Sequence, residues 1–224
     1  MTEPLAITQK WTAPWALIAV LAAVFCVLSV LAGSIGTLPG DLAMTEWVQD
    51  ATGGIPKTFA TIGNAIGSTA WTIGLFTILV GGAAWYRSWR DVWFLLAADV
   101  MRLLAMALKG IIQSPRPTDA QAILHGTFDG YGFPSGHTLT STLLFGGLAF
   151  IAVRHVQRSW VIPAAFLMWA IGALMTAFAR VWSGAHWTSD VIGGMVLGVA
   201  IILIAANASA WMMERDRMRD RITP

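Results

Sequence analysis

Three short stretches of the chain carry the residue types that could do chemistry. The first runs from Lys109 to Arg116 and Pro117, the second is Gly132-Phe133-Pro134-Ser135-Gly136-His137-Thr138, and the third runs from Arg180 through His186 to Asp190. Lys109 and Arg116 are seven apart, so a continuous helix would put them on one face, with Pro115 and Pro117 ending that helix at about Gln113. In the second stretch a helix start leaves backbone N–H groups unpaired, and its dipole favours an anion. Gly136 lets backbone approach a ligand closely, Ser135 adds a hydroxyl, and His137 can carry a proton near neutral pH. In the third stretch His186 and Asp190 form an i,i+4 pair on a helix. The carboxylate can hold one imidazole nitrogen protonated and leave the other free to attack. Each stretch alone has a plainer reading: basic residues snorkelling at a helix end, a capped turn, and a pair that steadies a helix start.

The elements that must position these residues follow from composition. Of 224 residues, 56% are hydrophobic and 12% are charged, about half the charge of soluble domains. That excludes a soluble enzyme, a disordered chain and a disulfide scaffold, since Cys26 is the one cysteine. With 14 basic and 12 acidic residues there is no dense basic face for nucleic acid. A bilayer takes about 20 apolar residues per helix, and charge-poor runs place six spans near 13–33, 67–86, 92–112, 138–155, 160–181 and 189–211. The first run is long for a cleaved signal and is read as a retained span. The expectation is an all-α, six-transmembrane-helix bundle forming one domain over residues 1–224, with a short interfacial helix around Asp41, Glu46, Trp47, Val48 and Asp50. Nine basic residues (Lys10, Arg87, Arg90, Arg154, Arg158, Arg215, Arg217, Arg219 and Arg221) fall on one side. By the positive-inside rule both termini are cytoplasmic. Trp11, Trp15, Trp85, Trp89, Trp93, Trp160, Trp182, Trp187 and Trp211 lie near span ends, as an aromatic belt would.

This topology is drawn without the three stretches, yet it sets all of them at the outer ends of spans three to six. Three cations, one helix N-terminus, two histidines and one carboxylate then meet in one pocket at the outer membrane interface. That is a phosphoryl-transfer site, in which cations and N–H donors hold the oxygens, one imidazole attacks, and the other protonates the leaving oxygen.

In these three stretches the chain resembles the type 2 phosphatidic acid phosphatase (PAP2) family, in its integral-membrane branch. The family signatures K-x6-RP, PSGH and SR-x5-H-x3-D read here as Lys109…Arg116-Pro117, Pro134-Ser135-Gly136-His137 and Arg180…His186…Asp190. One position departs: Ala179 stands where the family usually has serine. The resemblance implies a metal-independent mechanism without cofactor. His186 would attack phosphorus to give a phosphohistidine, Asp190 would orient it, and His137 would serve as acid and then as base. Lys109, Arg116, Arg180, Ser135 and the Gly136 amide would clamp the phosphate. The implied substrate is a lipid phosphate or diphosphate (a polyprenyl diphosphate such as undecaprenyl diphosphate, phosphatidylglycerol phosphate, or phosphatidic acid), met at the periplasmic or exterior face of the cell membrane.

Other polar residues have plainer readings. Asp99 and Arg102, at i,i+3 in the third span, are read as a structural pair. His125 and Asp129 are read as solvated, His155 as cytoplasmic, the methionines as filler, and the arginine-rich tail as a topology signal. A lipid phosphotransferase with an acceptor other than water is a second enzyme reading. A small transporter using Asp99, Arg102 and Lys109 is a third, against which the motifs sit at helix ends rather than at the midplane. Oligomeric state is not legible.

Overall fold

The computed structural model describes residues 13–51, 54–156 and 158–222, which among themselves form helices and no strand. Lys10 and Trp11 lie outside them, as do the side chains of Arg217, Arg219 and Arg221. The helices are α1 (Trp15–Ile35), α2 (Asp41–Gln49), α3 (Gly54–Ile66), α4 (Thr69–Trp85), α5 (Trp89–Ala107), α6 (Lys109–Ile112), α7 (Gly136–His155), α8 (Val161–Trp182) and α9 (Thr188–Ile222). Of these, α1, α7, α8 and the first 25 residues of α9 are each long and apolar enough to cross a membrane. Helices α3 and α4 together make a further candidate span, bent by 54°. Helix α5 has 19 residues, about 28 Å of helix against a hydrocarbon core of about 30 Å. Asp99 and Arg102 fall within it and neutralise one another, with Arg102 Nε donating to Asp99 Oδ1 at 2.6 Å. By length and composition the described residues thus hold four spans, or five with the bent pair, and α5, with its four charged residues, is not among them.

Two local expectations are corrected. The second span was placed at 67–86, but the chain is already helical from Gly54 and breaks between Ile66 and Thr69. The break lies where Gly67 packs so closely on Thr176 and His137 that a Cβ would fall 2.8 and 2.9 Å from their side chains. The third span does not run to 112 as one helix: α5 stops at Ala107, and α6 ends where Gln113 takes φ 56°. Arg116 is therefore not on the helix of Lys109. A loop brings it in, not a shared face.

The core is apolar shape-matching around α7 and α9. Phe94 and Leu95 of α5, Leu139, Leu143 and Leu144 of α7, and Ile201 and Ile202 of α9 are buried together. Lipid offers no hydrophobic drive for one helix to meet another, so close approach of small residues does the packing. At Gly194 of α9 a Cβ would lie 2.7 Å from the Ser135 carbonyl oxygen, so glycine there brings the starts of α7 and α9 together. Phe133 is fully buried and stacks on Phe25 of α1, with centroids 5.6 Å apart, which fixes the loop entering α7.

The two ends of the bundle differ. At one end lie the starts of α7 and α9 and the end of α8. At the other, the buried Asp91 of α5 accepts from Arg154 Nη1 at 2.5 Å and lies 2.6 Å from His155 Nε2, tying α5 to the end of α7. Trp15, Trp85, Trp89, Trp93, Trp160 and Trp211 are exposed, as a belt requires. Trp187 is not part of it: it is fully buried beside the three clusters.

Candidate active site

His186 sits in the turn between α8 and α9, and its backbone N–H and that of Ala185 both donate to the Arg180 carbonyl. The turn closes through Gly184, whose φ of 68° and whose contact with the Ile123 carbonyl leave no room for a side chain. The imidazole is 2% exposed. Its Nδ1 lies 3.2 Å from Asp190 Oδ2 and its Nε2 lies 3.2 Å from Arg116 Nη1. A guanidinium can only donate, so Nε2 must accept, and the proton must be on Nδ1, directed at Asp190. Asp190 Oδ2 also accepts from the Trp187 backbone N–H at 3.1 Å, which fixes the carboxylate as it fixes the ring. Burial, and then the positive charges of Arg116, Lys109 and Arg180, hold the His186 pKa well below the ordinary imidazole value of 6.5. The ring is neutral, oriented, and presents its lone pair to a cation.

The three cations reach the pocket from three different elements. Arg116, in the loop after α6, donates from Nε to the Gly130 carbonyl at 3.1 Å and from Nη1 to the Ala185 carbonyl at 2.6 Å. Lys109, at the start of α6, donates to the Tyr131 and Gly132 carbonyls, each at 3.0 Å. Arg180, on the last turn of α8, donates to Asn64 Oδ1 at 2.9 Å and lies 5.2 Å over the Phe128 ring. Arg180 Nε and Asp190 Oδ1 are buried and make no hydrogen bond among the described residues.

The second stretch forms the start of α7. Ser135 takes the N-cap position and Gly136 is the first helical residue, so the first N–H groups of α7 point out of the helix end. Ser135 is fully buried, and its own N–H donates to the Asp190 carbonyl at 2.9 Å. Thr138 Oγ1 donates to Ser135 Oγ at 3.1 Å. His137 is half-buried in the first turn, against Gly67. Gly132 completes the link, since a Cβ on it would sit 2.7 Å from Asp190 Oδ2. Lys109, Arg116, Ser135, Gly136, His137, Arg180, His186 and Asp190 are therefore gathered where the starts of α7 and α9 meet the end of α8, with Ala179 buried beneath Gly63 of α3.

Several supporting residues were not singled out from sequence. Asp41, at the start of α2, is 3% exposed and accepts from the Ser189 N–H, the Ser189 hydroxyl and the Leu38 N–H. It holds the first turn of α9 from outside. Asn64 is a lone amide in the charge-free run 58–86, and that isolation was the available signal. Gln49 donates to the Ile123 and Trp182 carbonyls and accepts from the Ile123 N–H. His125, read as solvated, is exposed and also stacks on Trp182 at 4.1 Å with 8° between the planes. The outer loop is docked on the bundle, and its carbonyls reach the cations for that reason.

Residues 89–214 match the PAP2 superfamily model. The chain is 28% identical over 141 residues to phosphatidylglycerophosphatase B of Bacillus subtilis, covering 62% of this chain and 68% of that protein. It is 33% identical over 130 residues to a lipid A 1-phosphatase of Rhizobium johnstonii, covering 55% of this chain and about half (49%) of that relative's length. Among solved structures, the crystal structure of a transmembrane PAP2-type phosphatidylglycerolphosphate phosphatase from Bacillus subtilis superposes with a TM-score of 0.73 at 24% identity, covering 84% of this chain and 93% of that one. That likeness concerns the fold, and it joins a family match that takes in every residue of the three stretches. The chain belongs to the PAP2 superfamily.

Proposed function

We propose that this protein is a membrane-embedded phosphatase that hydrolyses the headgroup phosphate of a lipid phosphate or diphosphate through a phosphohistidine. The observation that carries the reading is the Asp190–His186–Arg116 chain, which holds a neutral imidazole with its free nitrogen at a cation-lined pocket. The lipid substrate class is supported by the relatives, whose names include phosphatidylglycerophosphatase, lipid A 1-phosphatase and undecaprenyl-diphosphatase.

The chemistry balances as two displacements. His186 Nε2 attacks phosphorus and the bond from phosphorus to the lipid oxygen breaks. His137 gives that oxygen a proton, and the imidazolium formed on His186 is stabilised by Asp190. Water then attacks the phosphohistidine, His137 takes its proton, and inorganic phosphate leaves with His186 neutral again. Lys109, Arg116, Arg180, the Ser135 hydroxyl and the amides at the start of α7 hold the oxygens. Because these donors are fixed in advance by carbonyls and by Asn64, little reorganisation accompanies charge build-up. The pocket faces the periplasm or exterior, opposite the end carrying Arg154, Arg158 and the tail arginines, and both termini are cytoplasmic.

The transporter reading loses its residues. Asp99 and Arg102 pair with each other, and Lys109 is bound to loop carbonyls. The test is phosphate release in detergent from a panel of phosphatidic acid, phosphatidylglycerol phosphate and a polyprenyl diphosphate, with and without a chelator. Turnover that persists in chelator is expected. Absence of release from every lipid, or loss restored only by Mg²⁺, would overturn the mechanism.

A further inference from the structure

We infer that the apolar tail of the substrate lies in a lateral groove between the α3–α4 bend, α7 and α8, entered from the His137 side of the pocket. The groove has a volume of about 400 Å³ and is lined by Ile66, Phe145, Ala164, Met168, Ile171 and Met175, among others, with almost no polar surface. It rests on the phosphatase reading, and reaction geometry selects it. An in-line displacement by His186 Nε2 places the leaving oxygen on the far side of phosphorus, and the group that protonates this oxygen is His137. The tail is bonded to the leaving oxygen, so it must depart past His137.

The groove ends next to His137. Ile66 lines the groove, and its neighbour Gly67 packs on the His137 side chain, where a Cβ would be 2.9 Å away. Met175 lines it too, and the adjacent Thr176 touches the same Gly67. The 54° bend between α3 and α4 turns α4 away at this level. From Met175 to Ala164 the wall descends eleven residues of α8, about 16 Å, close to one leaflet of a hydrocarbon core about 30 Å thick. Phe145 forms the back, its ring seated on Gly172, where a Cβ would collide with it. Leu167 and Ile171 are 61% and 49% exposed, so the groove is open along its length to the bilayer.

Since lipid is as apolar as the groove, seating a tail there adds orientation more than affinity. A displaced tail moves the phosphate out of line, which is costly to rate at the scale of 1 Å. The test narrows the groove from its open wall with Ala164→Trp and, separately, Ile171→Trp. The readout is the ratio of kcat/KM for dioleoyl phosphatidic acid to that for the tailless p-nitrophenyl phosphate. The ratio should fall by roughly tenfold or more. A wild-type enzyme that hydrolyses both, with an unchanged ratio in both variants, sinks the groove and leaves the phosphatase reading standing. A wild type inactive on both removes the two together. As a second measurement, a benzophenone amino acid at Ile171 should crosslink long-chain phosphatidic acid far more than one at Val24 on the lipid-facing side of α1. Arg116→Ala should remove that excess. Equal crosslinking at the two positions would mean bulk lipid only, and overturns the assignment.

Discussion

At the residue scale the reading rests on one imidazole kept neutral by burial and by the charges of Arg116, Lys109 and Arg180. His186→Ala should abolish turnover. His137→Ala, given a substrate with a good leaving group, should accumulate an acid-labile, base-stable phosphoenzyme, because the second step also needs that ring. Label appearing on His186→Ala would place the nucleophile elsewhere. Arg116→Ala should lower kcat/KM by roughly 10²-fold or more, the scale for losing one preorganised donor. The pH dependence has a definite sign. His186 reacts as the neutral ring, and its pKa is depressed by burial and by Arg116, Lys109 and Arg180. Activity should therefore persist as pH falls through 6.5, with the His186 limb of kcat/KM lying below it. Arg116→Gln removes a charge that depresses the pKa, so the limb should move to higher pH. A limb at or above 6.5 in the wild type, or one that Arg116→Gln leaves in place, would contradict the assignment.

At the element scale the catalytic stretches rely on helices that precede the family-matched segment. Residues 89–214 match the family and hold all eight candidate site residues, whereas Asp41 on α2 and Asn64 on α3 hold Ser189 and Arg180 in place from outside that segment. Asp41→Ala would leave the Ser189 and Leu38 donors unpaired in a buried setting. It should cost about 2 kcal/mol of stability, read as earlier unfolding in a detergent melt, together with reduced kcat. Asp41→Asn, which keeps the shape and one acceptor, should recover part of both. Asn64→Ala frees the Arg180 guanidinium to swing, so kcat/KM should fall roughly tenfold, the scale of one lost charged hydrogen bond. An unchanged kcat/KM would show that Phe128 and the turn suffice to hold Arg180.

At the scale of the whole molecule, bundle polarity decides which leaflet supplies the substrate. Site residues gather at one end of α7, α8 and α9, while Asp91, Arg154 and His155 close the other. Single cysteines at Thr127 and Ser159, in a Cys26→Ser background, report the two ends. An impermeant thiol reagent on intact cells should label position 127 and spare 159. The reverse pattern would put the chemistry on the cytoplasmic side and remove the outer-leaflet substrate.

Membrane class, most helix positions and the three stretches that the fold brings together were readable from the chain. A charge-free run of about 20 residues satisfies its backbone in lipid by forming a helix, and clustered cations, imidazoles and a carboxylate are visible as residue types wherever they fall. The sequence also paired His186 with Asp190, because i,i+4 is a local relation. It misjudged relations that are not local. Pro115 and Pro117 mark the helix end at about Gln113, where it falls, but nothing local shows that the loop beyond docks Arg116 on the Ala185 carbonyl. Trp187 looks like an interfacial anchor in sequence and is a core residue. Asp41 and Asn64 had no motif, since their partners Ser189 and Arg180 lie 148 and 116 residues away. The bend at Gly67 likewise depends on the surfaces of Thr176 and His137 against it. Local spacing and solvent preference are properties of the chain, whereas the partner of a buried polar group is chosen only when distant segments pack.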